Sequence, residues 1–202
     1  MKFILASASP RRKELVKEFV EETEIIPAQG EETAVAGMPR RLVEALSRQK
    51  ADEVFSRKGG EGIIVLGADT VVAYGKQILG KPQSEEDAIR MLKMLSGRSH
   101  FVYTGVCFIY YKNGKKKYLN HSARTRVKFN KLTDEWIKEY VQSGSPMDKA
   151  GAYGIQDGGL VKHIRGSFTN VVGLPVELCK RLYAKIIREQ VIREQGYDKN
   201  CD

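Results

Sequence analysis

Cysteine is scarce in this sequence, since only Cys107, Cys179 and Cys201 occur among 202 residues. The three lie far apart and form no Cys-x-x-Cys pair, so neither a disulfide framework nor a zinc site is expected. The sequence also lacks an apolar run of about 18 residues, the length that a membrane helix needs. Its first apolar run, KFILA, is shorter than the apolar region of a signal peptide. We therefore expect a cytoplasmic protein with no membrane partner.

What the sequence does contain is charge, together with enough apolar residues for a core. Hydrophobic residues make up 42% of the chain and charged residues 29%. This composition is typical of a globular protein and not of a disordered one. The 34 Lys and Arg outnumber the 25 Asp and Glu, which gives a formal net charge of +9. The length suits one domain, or at most two small ones.

Much of the positive charge lies in residues 112–131, which contain eight basic residues and no acidic one. Asn113-Gly114 stands between two strand-like segments and indicates a β-hairpin, because both turn positions favour a positive φ. We interpret this stretch as a solvated hairpin whose charges discourage pairing with other strands. The alternative is a basic surface that attracts polyanions, either nucleic acid or nucleotide phosphates.

The order of strand and helix signals predicts an α/β (α+β) protein with a mixed β-sheet. Apolar runs at 2–6, 24–28 and 63–74 predict strands, and the basic hairpin adds two more. Helices are predicted to begin near Pro10, Pro39, Ser84, Thr133 and Pro175. The repeat IIREQVIREQ (186–195) predicts that the last helix is extended.

The segment from Ser7 to Arg12 is a candidate anion site. A strand leads there into a helix, whose free N–H groups and dipole favour an anion at its start. Arg11 and Arg12 add planar donors that match phosphate oxygens. An ordinary capped helix with solvated arginines is an equally good interpretation of these residues alone.

Asp69 is a second candidate, because it places a charge inside the apolar run IIVLGADTVVAY. A buried charge is costly unless it is paired, hydrogen-bonded or bound to a metal. We favour a functional carboxylate over an exposed strand end. Glu31 and Glu32 could join Asp69 around a divalent cation, which prefers oxygen ligands. Spacing alone, however, favours a solvated acidic loop for this pair.

Two further segments are weaker candidates. Lys81 lies between Gly80 and Pro82 and could be aimed at a phosphate, although single lysines are usually solvated. The glycine-rich residues 148–156 would allow close backbone approach to a ligand, or they form a plain turn. Gln156 in that segment could read the edge of a base. The three histidines are scattered, and no Ser/His/Asp arrangement stands out.

Together these segments resemble the Maf family of nucleoside triphosphate pyrophosphatases, also called septum formation inhibitor proteins. The matching motifs are, in order, LASASPRRKEL (5–15), Glu31 and Glu32 with Lys50-Ala51, GADTVV (67–72), GKP (80–82) followed by LSGRSH and TG (95–105), and DKAGAYGIQ (148–156). The resemblance covers about residues 2–185. We expect a single two-lobed domain at 1–185 and a C-terminal helical extension and tail at 186–202.

The resemblance implies an elongated mixed sheet with flanking helices around a central cleft, similar to the inosine triphosphate pyrophosphatases. It also implies hydrolysis of a nucleoside triphosphate to the monophosphate and pyrophosphate, with Mg²⁺ or Mn²⁺, commonly in a homodimer. The segment AYGIQ (152–156) is similar to the branch that acts on dTTP and UTP. We therefore expect pyrimidine triphosphates as substrates, including 5-modified uridine nucleotides.

The family's functional positions fall on residues of the expected type. We expect Arg11, Arg12, Lys50 and Lys81 to hold the phosphates, with help from Ser7 and Thr70, and Gln156 to recognise the base. Glu32 and Asp69 are the expected metal ligands, directly or through water. Asp69 is also the candidate general base, and metal ligand and base are competing roles for this one carboxylate. The catalytic set is thus Asp69, Lys81 and Glu32. The competing hypothesis is a regulatory, division-inhibiting protein that binds nucleotides or nucleic acid.

Overall fold

The computed structural model of the chain describes residues 1–31, 33 and 37–196. It contains one seven-stranded mixed sheet. The strands are β1 (Lys2–Leu5), β2 (Glu24–Ile25), β3 (Ile63–Tyr74), β4 (Gln77–Leu79), β5 (Ser99–Lys112), β6 (Lys115–Phe129) and β7 (Val161–Arg165). Their order across the sheet is β2-β1-β3-β5-β6-β7, with β4 also paired to β3. The predicted fold class is confirmed.

Among the described residues, six α-helices flank this sheet. They are α1 (Pro10–Val16), α2 (Pro39–Lys58), α3 (Glu85–Leu95), α4 (Asp134–Gln142), α5 (Phe168–Val172) and α6 (Val176–Gly196). Ser9, Ser84 and Thr133 cap three of them, each accepting a hydrogen bond from a backbone N–H three residues later. These helix starts agree with the predictions from sequence. No helix in the described part of the chain is long and apolar enough to cross a membrane.

The sequence predicted the second strand and α5 less well than the other elements. The strand predicted over 24–28 is only two residues long. Helix α5 was not predicted, because its five residues lie in a glycine-rich region and are too few to show a helical period. Three 3-10 turns, Ser145–Asp148, Ala150–Ala152 and Ile155–Asp157, precede β7 in the same region.

Strand β3 runs without a break through Asp69. It pairs with β5 in antiparallel register from Ile64 to Ala73, so the charge does not end the strand. The alternative interpretation of Asp69 as an exposed strand end is therefore wrong. The predicted hairpin between β5 and β6 is confirmed, since Asn113 and Gly114 adopt φ values of 54° and 67°.

Two glycines let helix α2 lie directly on the sheet. Gly67 in β3 and Gly105 in β5 both face this helix. A Cβ atom at Gly105 would overlap the carbonyl oxygen of Val43, and one at Gly67 would overlap that of Ser47. Glycine in a strand often marks such a close backbone approach. It brings side chains of α2 beside Asp69, the register partner of Gly105.

The core is divided into three clusters around the sheet. One cluster packs α2 against one face. On the other face, one cluster contains residues of α1 and α6, and the other contains residues of α3 and α4. The buried side chain of Thr104 and the neighbouring Thr70 belong to neither of these two clusters. A polar strip thus crosses the sheet between two apolar regions.

Candidate active site

A cleft of about 460 Å³ opens at an interruption in the edge of β3. Strand β1 pairs with β3 as far as Leu66, and β4 pairs with it from Val72 onwards. Among the described strands, residues 67–71 have only β5 as a neighbour. The cleft is lined by Ser7, Arg11, Arg12, Lys50, Asp69, Thr70, Lys81 and Gln156, among others. These are the predicted phosphate- and base-binding residues together with Asp69, so the cleft brings them together. Glu31, the other candidate ligand for a cation, is exposed and is not among the lining residues, and Glu32 lies outside the described ranges.

Asp69 and Lys50 form an ion pair on the α2 side of the cleft. The Lys50 ammonium lies 2.5 Å from Oδ1 of Asp69. Asp69 is only 8% exposed, so its charge needs the compensation that this contact gives. The pair depends on the glycines under α2, because a larger residue at position 67 or 105 would push the helix away.

Arg12 is held by acceptors from three parts of the chain. It donates to the carbonyl oxygen of Gly173 at 2.8 Å, to Oγ of Ser7 at 3.3 Å and to Oγ1 of Thr70 at 2.9 Å. Thr70 in turn bonds to Thr104 at 3.0 Å. Because these contacts tie α1, β3 and the turn before α6 together, Arg12 is fixed in orientation before any ligand binds.

Arg11 instead reaches across the cleft to the segment before β7. Its Nη1 lies 2.8 Å from Oδ2 of Asp148, and its Nη2 donates to the Asp148 carbonyl oxygen at 3.3 Å. Partial burial acts to raise the pKa of Asp148, but hydrogen bonds from Lys149 and Arg11 outweigh it and leave that pKa below its ordinary value. Sequence analysis did not single out Asp148, and no local signal links it to Arg11.

The segment 148–157 forms the opposite wall of the cleft and also positions Lys81. The N–H of Gly151 donates to the carbonyl oxygen of Gly80 at 2.9 Å, next to Lys81. Gly151 has a φ of 70°, and a Cβ there would lie 2.7 Å from Val72. This position therefore requires glycine. Gln156, at the far end of the segment, is exposed and lines the cleft.

A buried His–Tyr pair supports this wall from behind. Tyr153 lines the cleft, and its hydroxyl lies 2.8 Å from Nε2 of His100. His100 is at the start of β5 and is 1% exposed. Burial lowers the pKa of His100 to about 4, so the ring is neutral near pH 7. Its Nδ1 has no hydrogen-bond partner within the described ranges.

The carboxylates of the cleft limit how a metal could bind. In the described lining these are Asp69 and Asp148, and both contact cationic side chains. No group of three or more His, Cys, Asp or Glu side chains that could hold a metal occurs in the described ranges. Mg²⁺ commonly binds through one or two carboxylates together with substrate phosphates. The donor set therefore fits a cation that arrives with a phosphorylated ligand.

The basic hairpin lies away from this cleft, and several of its charges are paired. Lys112 contacts Glu189 at 3.0 Å, and Lys116 contacts Asp52 at 2.5 Å. Lys128 donates to the carbonyl oxygen of Gly97 at 2.7 Å. These contacts favour the interpretation as a charged hairpin over that of a polyanion-binding surface.

The chain is similar to proteins of one family over nearly its whole length. A family model described as Maf-like protein matches residues 2–186. A dTTP/UTP pyrophosphatase of Agathobacter rectalis is 49% identical over 209 residues, covering 96% of this chain and 98% of that protein. A dTTP/UTP pyrophosphatase of Thermococcus gammatolerans is 49% identical over 181 residues, covering 89% and 94%. A solved nucleoside-triphosphatase / dITP/XTP pyrophosphatase of Mycobacterium abscessus matches with a TM-score of 0.46 and 14% identity, covering 96% and 98%.

Proposed function

Because this chain belongs to the family of Maf-like proteins, we propose that it is a hydrolase that cleaves dTTP and UTP to the monophosphate and pyrophosphate. One observation carries the proposal: five cations, two paired carboxylates and a glutamine line a single cleft at the interrupted edge of β3. This donor set suits a triphosphate attached to a base. Close relatives over nearly the whole chain carry the corresponding name.

The reaction needs a base for water and positive groups for the phosphates. Asp69 accepts a proton as the water oxygen bonds to the α-phosphorus, and Lys50 orients its carboxylate. The bond from the α-phosphorus to the bridging oxygen then breaks, and pyrophosphate leaves. Arg11 and Lys81 offset the charge on the phosphate oxygens. Such electrostatic stabilisation is the main catalytic term in phosphoryl transfer.

The two arginines differ in their roles. Arg12 is already held by protein acceptors and presents a fixed positive charge beside Ser7 and Thr70. Arg11 exchanges its contact with Asp148 for a phosphate oxygen when the nucleotide enters. Gln156, across the cleft, donates to and accepts from the edge of a pyrimidine base. The substrate range would then include 5-modified uridine nucleotides.

A divalent cation, Mg²⁺ or Mn²⁺, would when bound neutralise charge on the phosphate oxygens. We propose Asp69 and Glu32 as the residues that hold it, as the family resemblance implies. Glu32 lies outside the described residues. The homodimer and the cytoplasmic location likewise stay predictions from the sequence, and light scattering would test the first of them. Within the described ranges, no observation favours the division-inhibiting alternative.

The direct test is pyrophosphate release from a panel of nucleoside triphosphates, with Mg²⁺, with Mn²⁺ and with EDTA. We expect metal-dependent release from dTTP and UTP and little from purine triphosphates. Asp69→Asn should lower turnover by about 10³-fold, the range of general base catalysis, while the nucleotide still binds. No release by a folded wild-type protein would overturn the proposal.

Asp134→Asn is the matched control. Asp134 also pairs with a lysine, Lys93 at 2.8 Å, but this pair is on the surface and away from the cleft. Its substitution should leave turnover unchanged. If both variants retained wild-type turnover, Asp69 would have no part in the chemistry.

A further inference from the structure

Tyr140 lies behind the wall that carries Gln156. It belongs to α4, is 9% exposed and stacks on Trp136 with ring centroids 4.9 Å apart. It is absent from the described lining of the cleft. Its hydroxyl nevertheless faces the cleft wall and not solvent, so this buried polar group bonds to the wall.

The hydroxyl bonds to both ends of the turn that contains Gln156. It accepts a hydrogen bond from the N–H of Gly154 at 3.0 Å and donates to Oδ2 of Asp157. Ser145 donates to the same carboxylate oxygen at 2.9 Å. Gln156 lies between these two bonded residues, so one oxygen atom fixes the start and the end of the turn that presents it.

This turn has little else to hold it in place. Its own backbone bond runs from the N–H of Asp157 to the carbonyl oxygen of Gly154, at 3.1 Å. Residues 156–159 are exposed, and Gly158 has a φ of 75°. Beyond Gln156 the chain is next held at Gly159, whose carbonyl oxygen accepts from the Asn130 side chain at 2.8 Å, and at the buried Leu160. A Cβ atom at Gly154 would lie 2.7 Å from Oδ2 of Asp157 and 2.8 Å from Cε of Lys149, so these two side chains would have to move.

We propose that Tyr140 is a positioning residue for base recognition: its hydroxyl holds the turn so that Gln156 faces the nucleotide base. This inference rests on the proposed function, since it assigns a device to the same cleft. It concerns the nucleotide base, because Arg11, Arg12 and Lys50 lie on other elements and the contact that positions Lys81 is made at Gly151, outside the turn 154–157.

Tyr140→Phe tests the proposal, because it removes one oxygen atom and keeps the stacked ring. We expect the KM for dTTP to rise about tenfold, while kcat stays within about twofold. Inorganic tripolyphosphate has no base, so its Ki as a competitive inhibitor should stay within about twofold. A general loss of structure would instead lower kcat and raise the Ki as well.

Two further variants test the same inference independently. Asp157→Asn weakens the same bond from the other side and should give the same split between dTTP and tripolyphosphate. In a Gln156→Ala background, Tyr140→Phe should add less than about twofold to the KM, because the residue through which it acts is gone. Full additivity of the two substitutions would overturn the proposal.

Tyr183→Phe serves as the control. Tyr183 contacts Phe3 and Phe19 edge-on, and its hydroxyl has no hydrogen-bond partner among the described residues. It should leave both the KM and the Ki unchanged. An unchanged KM for dTTP in Tyr140→Phe, or an equal rise in the Ki for tripolyphosphate, would overturn the inference. If the wild type binds dTTP but releases no pyrophosphate, the proposed function fails, and dissociation constants for the same two ligands decide the inference separately.

Discussion

The two walls of the cleft are built in different ways. The α2 wall depends on the absence of side chains, since Gly67 and Gly105 let a helix backbone rest on the sheet. The wall formed by residues 148–157 depends on side-chain contacts, because Arg11, Tyr140 and His100 hold its three short turns in place. Close packing positions Asp69, the proposed general base. Directional hydrogen bonds position Gln156, the residue proposed to recognise the nucleotide base.

This difference indicates which wall of the cleft tolerates substitutions. A packed interface tolerates few changes of volume, because interiors have the density of organic crystals. Exposed turns held by hydrogen bonds lose less stability than a packed interface when one contact is removed. We therefore expect substitutions in the α2 wall to affect folding and chemistry together. Substitutions in the opposite wall should have smaller and more separable effects.

The largest effect is expected for Gly105→Ala. The new Cβ would overlap the carbonyl oxygen of Val43, so α2 must shift and the free energy of unfolding should fall by about 3 kcal/mol. Urea denaturation measures this change. In Gly60→Ala the nearest atom to the new Cβ, on Ile63, lies 3.8 Å away, and the loss should stay within about 0.5 kcal/mol. Equal losses in the two variants would mean that the close approach of α2 does not matter.

An intermediate effect is expected when the pH is lowered. The pKa of His100 is about 4 in the folded protein and 6.5 in an unperturbed histidine, so the unfolded chain binds the proton more tightly. The stability due to the neutral ring is complete above pH 6.5 and is lost as the pH falls towards 4. From the shift, the loss by pH 5 is about 2 kcal/mol.

Urea denaturation at pH 7.5 and pH 5 measures this loss. His100→Gln cannot titrate in this range, so its stability should decrease by about 2 kcal/mol less than that of the wild type over the same interval. The comparison uses the pH dependence of each protein, so a constant cost of the substitution cancels. A wild-type and a variant protein with the same pH dependence would show that His100 is accessible to protons when folded.

The smallest effect is expected for Asp148→Asn. The ion pair with Arg11 is partly exposed, with 53% of the Asp148 side chain accessible to solvent. Its contribution to the free energy of unfolding should be less than about 1 kcal/mol, and smaller in high salt because of screening. Denaturation of the variant at low and high salt measures both. A loss as large as that of Gly105→Ala would remove the distinction between the two walls.

Local signals in the sequence predicted the parts of the fold that depend on neighbouring residues. Ser9 before Pro10 predicted the start of α1, and Asn113-Gly114 predicted the hairpin, because capping and turn chemistry act within a few residues. Asp69 stood out because a charge in an apolar run needs a partner. The family resemblance indicated Lys50 as a phosphate ligand, but neither the resemblance nor any pattern around either residue predicted that Lys50 pairs with Asp69.

Contacts between distant segments could not be predicted in this way. The bond from Arg12 to Thr70 spans 58 residues, and the one from Arg11 to Asp148 spans 137. Both depend on how β3 and the turns before β7 are placed in the finished sheet. Tyr140 gave no signal either, since a tyrosine on the apolar side of a helix is typical of any core.

The interrupted edge of β3 has a consequence for solubility. A strand edge that is left open for a ligand is also open to a strand of another molecule, and such edges promote aggregation. The open stretch of residues 67–71 is short and lies beside the charges of Lys50, Arg12 and Lys81. A neighbouring chain would have to bury these charges in order to pair there. The cations proposed to hold phosphates thus also protect the protein from association through its open edge.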